Sequence, residues 1–141
     1  MTLLVIDTNI LVATCLKEDD IGRQVLKKCL TGAHTPLIGT ALFTEYEDLM
    51  SRDELFKGSP LSKSERMEIF HGFLSICHWT EVYYAWRPNL PDEADNHLVE
   101  LAVAGGASAI VTRNVRDLAK GELRFPQVRI LLPEQCLEIY K

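Results

Sequence analysis

The residues from Asp92 to Leu118, DEADNHLVELAVAGGASAIVTRNVRDL, leave this chain few folds to choose from. Leu98, Leu101 and Ala102, helped by Val99 and Ala104, recur at helical spacing, and the pattern stops at Gly105-Gly106. Paired glycines suit a helix C-terminus, where a residue with positive φ is commonly needed. Ala109, Ile110 and Val111 then run apolar without alternation, as in a parallel strand covered on both faces. Asp92 and Asp95 stand at the start of the helix, and Asn114 and Asp117 just past the strand. In an open α/β sheet the C-terminal edge of the strands is where ligands bind. The strand ending at Thr112 therefore carries Asn114 and Asp117 to that edge.

The rest of the chain repeats the alternation. Leu3 to Ile6 reads as a short strand ending at Asp7-Thr8-Asn9, followed by a helix from Ile10 to about Leu16. Asp19-Asp20 caps a second helix with Ile21, Val25, Leu26 and Cys29 on one face. Thr35 to Gly39 is a second strand, and its Pro36 belongs at a strand start or a sheet edge. Thr40 caps a helix expected to run through Phe56, with Leu42, Phe43, Tyr46, Leu49 and Met50 inward. Ser62 and Glu65 form a capping box for a helix that buries Ile69, Phe70, Phe73 and Leu74. Thr80 to Trp86 alternates as a strand, and Val128 to Leu132 is the last strand before a helix starting at Pro133. Strands alternating with helices predict an α/β chain, a mostly parallel sheet between helical layers.

At 141 residues the expectation is one domain, residues 1–141, able to bury roughly 70% of its unfolded surface. A net charge of −5 argues against nucleic-acid binding through bulk charge and leaves local basic patches open. Leu3-Leu4-Val5-Ile6 is too short for a signal-peptide core, and no run approaches the ~20 apolar residues of a membrane span. The expected location is the cytoplasm, with no membrane partner. Cys15, Cys29, Cys77 and Cys136 are scattered in apolar contexts, so they read as core residues. The histidines lack metal spacing, and His97 reads by default as a solvated helix residue, with substrate contact as the lesser reading.

Asp7, Asn114, Asp117, Asp92 and Asp95 share one edge of the expected sheet, and Glu45, in the second turn of its helix, can reach it. Carboxylates crowded into one crevice repel each other unless a cation neutralises them, and hard oxygen ligands select Mg²⁺ or Mn²⁺. Such a site suits phosphodiester hydrolysis. Each acid also has a structural reading. Asp7 could satisfy helix N–H groups, Glu45 could be solvated, and Asp92 after Pro91 is a good N-cap with Asp95 as its N3 partner. The shared edge favours the metal site.

V-I-D-T-N-I-L at the start, T-x-x-x-x-E-Y-x-D-L in the middle, and D-x-x-D-N-H-L-x-E-L-A followed by I-V-T-R-N-V-R-D-L resemble the PIN domain family. The similarity runs from Leu3 to about Leu132 and is nearest to the toxin components of toxin–antitoxin systems (VapC-like). The resemblance implies a three-layer α/β/α sandwich and a metal-dependent single-strand ribonuclease, with a cognate antitoxin protein and a homodimer as partners. It implies metal ligands and catalytic acids at Asp7, Glu45 and Asp95, and a further ligand at Asp92. Where many relatives have T-G-D this chain has Thr112-Arg113-Asn114. Asn114 can offer a carbonyl and no charge, which leaves Asp117 as a candidate for the missing acid. Asn9 and Thr112 would support the ligands from behind.

Arg113, Arg116 and Lys120, with Arg124 and Arg129, place a basic rim in the last third, suited to single-stranded RNA. The other reading is a charge-balanced surface, since Asp117, Glu122 and Glu134 are interspersed. Two other folds, one of them not an enzyme, fit less well. A response-regulator receiver wants an acidic pair and a late lysine, and a haloacid-dehalogenase phosphatase wants a second Asp at position 9, which is Asn. The remaining alternative is a catalytically weak or inactive PIN scaffold that binds RNA or protein.

Overall fold

A computed structural model describes residues 2–16, 21–82, 96–118 and 127–140. Five strands form a parallel sheet in the order β3-β2-β1-β4-β5. They are β1 (Thr2–Ile6), β2 (His34–Ile38), β3 (His78–Trp79), β4 (Ala109–Val111) and β5 (Arg129–Leu131). The helices are α1 (Thr8–Leu16), α2 (Ile21–Leu30), α3 (Thr40–Met50), α4 (Lys63–Ile76), α5 (Asn96–Gly105), α6 (Val115–Leu118) and α7 (Pro133–Ile139). Successive strand residues point to opposite faces. Leu4, Val5 and Ile6 are all fully buried, as are Ala109, Ile110 and Val111, so both faces of the central strands are covered. This is the expected α/β sandwich. Among the described residues no helix is long and apolar enough to cross a membrane.

The order of the strands places the site. β1 has β2 on one side and β4 on the other, so the chain's crossovers diverge from β1 and leave a crevice beyond the ends of β1 and β4. Asp7 follows β1 directly, and its amide donates to the Val111 carbonyl at 2.9 Å. Pro36 is accommodated because His34, Thr35 and Pro36 lie against the β1 side, while the pairing with β3 begins only at Leu37. Where the proline sits, the strand is still an edge.

The two glycines ending α5 do different work. Gly106 has φ +70°, and the bonds from the Ala107 amide to the Ala102 carbonyl (2.8 Å) and from Gly106 to Val103 (3.4 Å) close a Schellman turn. At Gly105 a β-carbon would come within 2.4 Å of Leu37 Cδ1, so any larger residue there would force the buried Leu37 side chain to move.

Three expectations need correcting. The helix expected from a Thr40 cap through Phe56 has Gly39 at its N-cap, with no side-chain cap bond, and stops at Met50; a short 3₁₀ turn, Asp53–Phe56, follows an extended Arg52. Arg66 explains the break: it is buried, its Nε donates to the Met50 carbonyl at 3.1 Å, and its guanidinium lies 4.2 Å from the Phe56 ring centroid. The strand expected over Thr80–Trp86 pairs earlier, at His78–Trp79, with the Thr80 amide still bonded to the Ile38 carbonyl at 2.7 Å. Its alternating Tyr84 and Trp86, like the cap at Asp19-Asp20, lie outside the described residues. His97, expected in solvent, has a side chain only 11% exposed.

The Ser62–Glu65 capping box is present in both directions, at 3.1 and 2.9 Å. Cys15, Cys29 and Cys136 are buried and all four thiols are free. Burial pushes the Cys29 and Cys77 thiols up to about 12 and Cys136 up to about 11, so they act as small apolar residues.

Candidate active site

Asp7 is 5% exposed at the end of β1. The Thr112 hydroxyl, just past β4, donates to its Oδ2 at 2.7 Å, and Asn9 Nδ2 donates to the same oxygen at 3.2 Å. The Thr112 oxygen in turn accepts from the Asn114 amide at 2.9 Å, and Asn9 Oδ1 accepts from the Arg113 amide at 3.4 Å. The loop after β4 is thus tied to the loop after β1 through the two side chains that hold Asp7.

Glu45 comes from α3. The next residue, Tyr46, is fully buried, and its hydroxyl donates to the Ile6 carbonyl. That bond ties α3 to the last residue of β1 and brings Glu45 beside Asp7. The link between the two acids is Thr8, whose hydroxyl lies 2.5 Å from Glu45 Oε1 and 3.3 Å from Asp7 Oδ1. On its other oxygen, Glu45 Oε2 lies 2.7 Å from His97 Nε2 at the start of α5.

The two carboxyls are displaced in opposite directions. Burial pushes Asp7 above the usual carboxylate range, the charge of Glu45 adds to this, and the Thr112 hydrogen bond opposes it. Glu45 is held below its ordinary value, chiefly by the His97 hydrogen bond with help from Thr8 and against partial burial. A buried acid beside an ionised one is a donor set that a divalent cation relieves, and both supply hard oxygens. Asp7 and Glu45 therefore fit a Mg²⁺ or Mn²⁺ ion. Among the described residues no three His, Cys, Asp or Glu side chains are grouped to hold a metal.

Of the other residues singled out in the sequence, Asp92, Asp95 and Lys120 lie outside the described residues, and Asp117 is described only by its backbone in α6. Asn114 is half-buried in the loop between β4 and α6, its amide bonded back to Thr112. Arg113 and Arg116 are exposed, and Arg113 pairs with Glu134 in the first turn of α7 at 2.5 Å. Thr8 has no role in the sequence reading, and His97 is assigned there to solvent. A signal for His97 was available: positions 97, 101 and 105 lie one turn apart, and Leu101 is buried and Gly105 packs on Leu37.

Residues 3–116 match the family model of the PIN domain. The chain belongs to the PIN domain family. PIN domains are in general nucleases that use divalent metals. Among solved structures, this PIN domain is similar to VapBC2 from Rickettsia felis bound to a DNA fragment from their promoter. The TM-score is 0.63 at 17% identity, over 93% of this chain and 98% of that one. Among curated proteins none matches. At that identity the structural likeness speaks for the fold, which the strand order and the buried central strands give independently.

Proposed function

We propose that this PIN domain is a metal-dependent endoribonuclease that cleaves single-stranded RNA, acting as the toxin of a toxin–antitoxin pair. The observation that carries the reading is the nearly buried Asp7 set beside an ionised Glu45, with Thr8 between them. Asp7 and Glu45 would hold the cation, and Asp95, Asp92, Asn114 and Asp117 are the proposed further ligands, with Asp95 and Asp117 also among the catalytic acids. When bound, Mg²⁺ or Mn²⁺ would polarise a phosphodiester oxygen and make water a competent nucleophile at neutral pH.

The remaining parts belong to the chain itself. Asn9 and Thr112 keep the Asp7 carboxylate oriented by donating to Oδ2, which is how supporting residues commonly tune a metal site. Arg113 and Arg116, exposed beside the crevice, and Lys120 are the proposed grip on RNA phosphates. The likeness to VapBC2 favours an antitoxin as partner, and a basic side chain entering the acidic crevice is the chemistry such a partner would use. A homodimer in the cytoplasm completes the proposal.

The test is cleavage of an unstructured RNA in Mn²⁺ or Mg²⁺. Chelator is expected to stop it, and Asp7→Asn to reduce it to background with the fold intact. Cleavage that survives both would overturn the mechanism. Tight RNA binding without cleavage would mark the chain as an inactive PIN scaffold, consistent with Asn114 where many relatives carry an acid.

A further inference from the structure

We infer that His97 is a positioning residue, whose Nε2–H fixes the Glu45 carboxylate in place before any cation arrives. The inference rests on the proposal that Asp7 and Glu45 hold a divalent ion. A glutamate carboxylate at neutral pH is ionised and can only accept, so the contact at 2.7 Å makes Nε2 the donor. The other oxygen accepts from Thr8 at 2.5 Å. One carboxylate is therefore held at both ends, by a residue of α1 and a residue of α5, although it is itself mounted on α3. Rotation of the carboxylate plane would break one bond or the other. Each oxygen has two lone-pair positions, so one on each remains for a cation.

The rest of the ring argues that this contact is what His97 is for. Its Nδ1 is buried and has no hydrogen-bond partner among the described residues. A buried nitrogen left unpaired costs stability. Position 97 continues the line of buried Leu101 and half-buried Gly105, where an apolar side chain would cost less. A histidine there gives up stability for a single donor aimed at Glu45. Holding a flexible glutamate in its binding orientation removes an ordering cost that cation binding would otherwise carry.

Calorimetric titration of the metal-free protein with Mn²⁺ tests this with two variants of similar size, His97→Gln and His97→Leu. His97→Gln keeps an N–H donor and His97→Leu has none. The expected result is a loss of affinity of about 10–100-fold for His97→Leu, as for other residues that orient a ligand, and a clearly smaller loss for His97→Gln. Melting curves in chelator establish that each variant is folded. If His97→Leu does not fold, His97→Phe, a ring without a donor, takes its place. Affinity equal to wild type without the donor would overturn the inference, and so would an equal loss in His97→Gln, which would make the role one of packing. A wild-type protein that binds no Mn²⁺ would instead refute the cation site itself, and this inference with it.

Discussion

The Thr112 hydroxyl donates to Asp7 and accepts from the Asn114 amide, so one oxygen serves both the acid and the loop that follows β4. Thr112→Val keeps the shape and removes both bonds. It leaves a buried carboxylate short of a donor and an amide short of an acceptor, at an expected cost of about 1–3 kcal/mol. Thr112→Ser should restore most of the stability, as read from urea unfolding. A Val variant as stable as wild type would mean that the hydroxyl contributes nothing net. That Asp7, Asn9, Glu45 and Thr112 lie together was legible because the ends of β1 and β4 and the helix that leaves β2 share one edge of a parallel sheet. Thr8 was not, because a threonine opening a helix already has a capping explanation. His97 was not, because a polar residue in a first turn is ordinarily solvated, and only the full 97–101–105 line argues otherwise.

At the level of elements, the reading of the sequence succeeded where one pattern acted alone and failed where a distant residue intervened. The capping box of α4, the glycine end of α5 and the unalternating β4 are local and came out as written. The end of α3 was misplaced because Arg66, 16 residues after Met50, takes that residue's carbonyl. Nothing around position 50 announces a buried guanidinium from another helix. Arg66 also meets Asp53 at 2.8 Å, with its own side chain 4% exposed and that of Asp53 64% exposed. This asymmetry separates two mutations of one ion pair. Arg66→Ala should destabilise by about 2–3 kcal/mol through the lost charged hydrogen bond and the packing on Phe56. Asp53→Asn, at the solvated end, should cost much less, because solvent screens that half of the pair. Denaturant midpoints for the two variants check this, and equal losses would show that the ion pair, rather than the buried cation, carries the joint.

For the molecule as a whole, the sheet has two ends with different chemistry. The C-terminal edge collects Asp7, Glu45 and Thr112, while at the opposite end of β2 His34 is buried among α2 and α7. Neither of its ring nitrogens has a hydrogen-bond partner among the described residues, and the ring meets Tyr140 edge-on with centroids 6.0 Å apart. Nearby, Lys28 Nζ donates to the Tyr140 carbonyl at 3.2 Å. Burial holds the His34 pKa below its ordinary 6.5, and the charge of Lys28 lowers it further. The folded state thus binds this proton less readily than the unfolded chain. Stability from neutral His34 is present in full above about pH 6.5 and is lost as the pH falls below it, by at most about 1.4 kcal/mol per pH unit for one proton. Asp7 has the opposite sign: its raised pKa means that acidification through its carboxyl range favours the folded state. Comparing wild type with a His34 variant between pH 7.5 and 5.5 separates the share of this histidine from that of every other group. His34→Phe, which keeps a ring against Tyr140, should flatten that slope while leaving Mn²⁺ affinity at neutral pH unchanged, since the substitution lies at the far end of the sheet from the carboxylates. A slope that persists in His34→Phe would assign the acid sensitivity to another group.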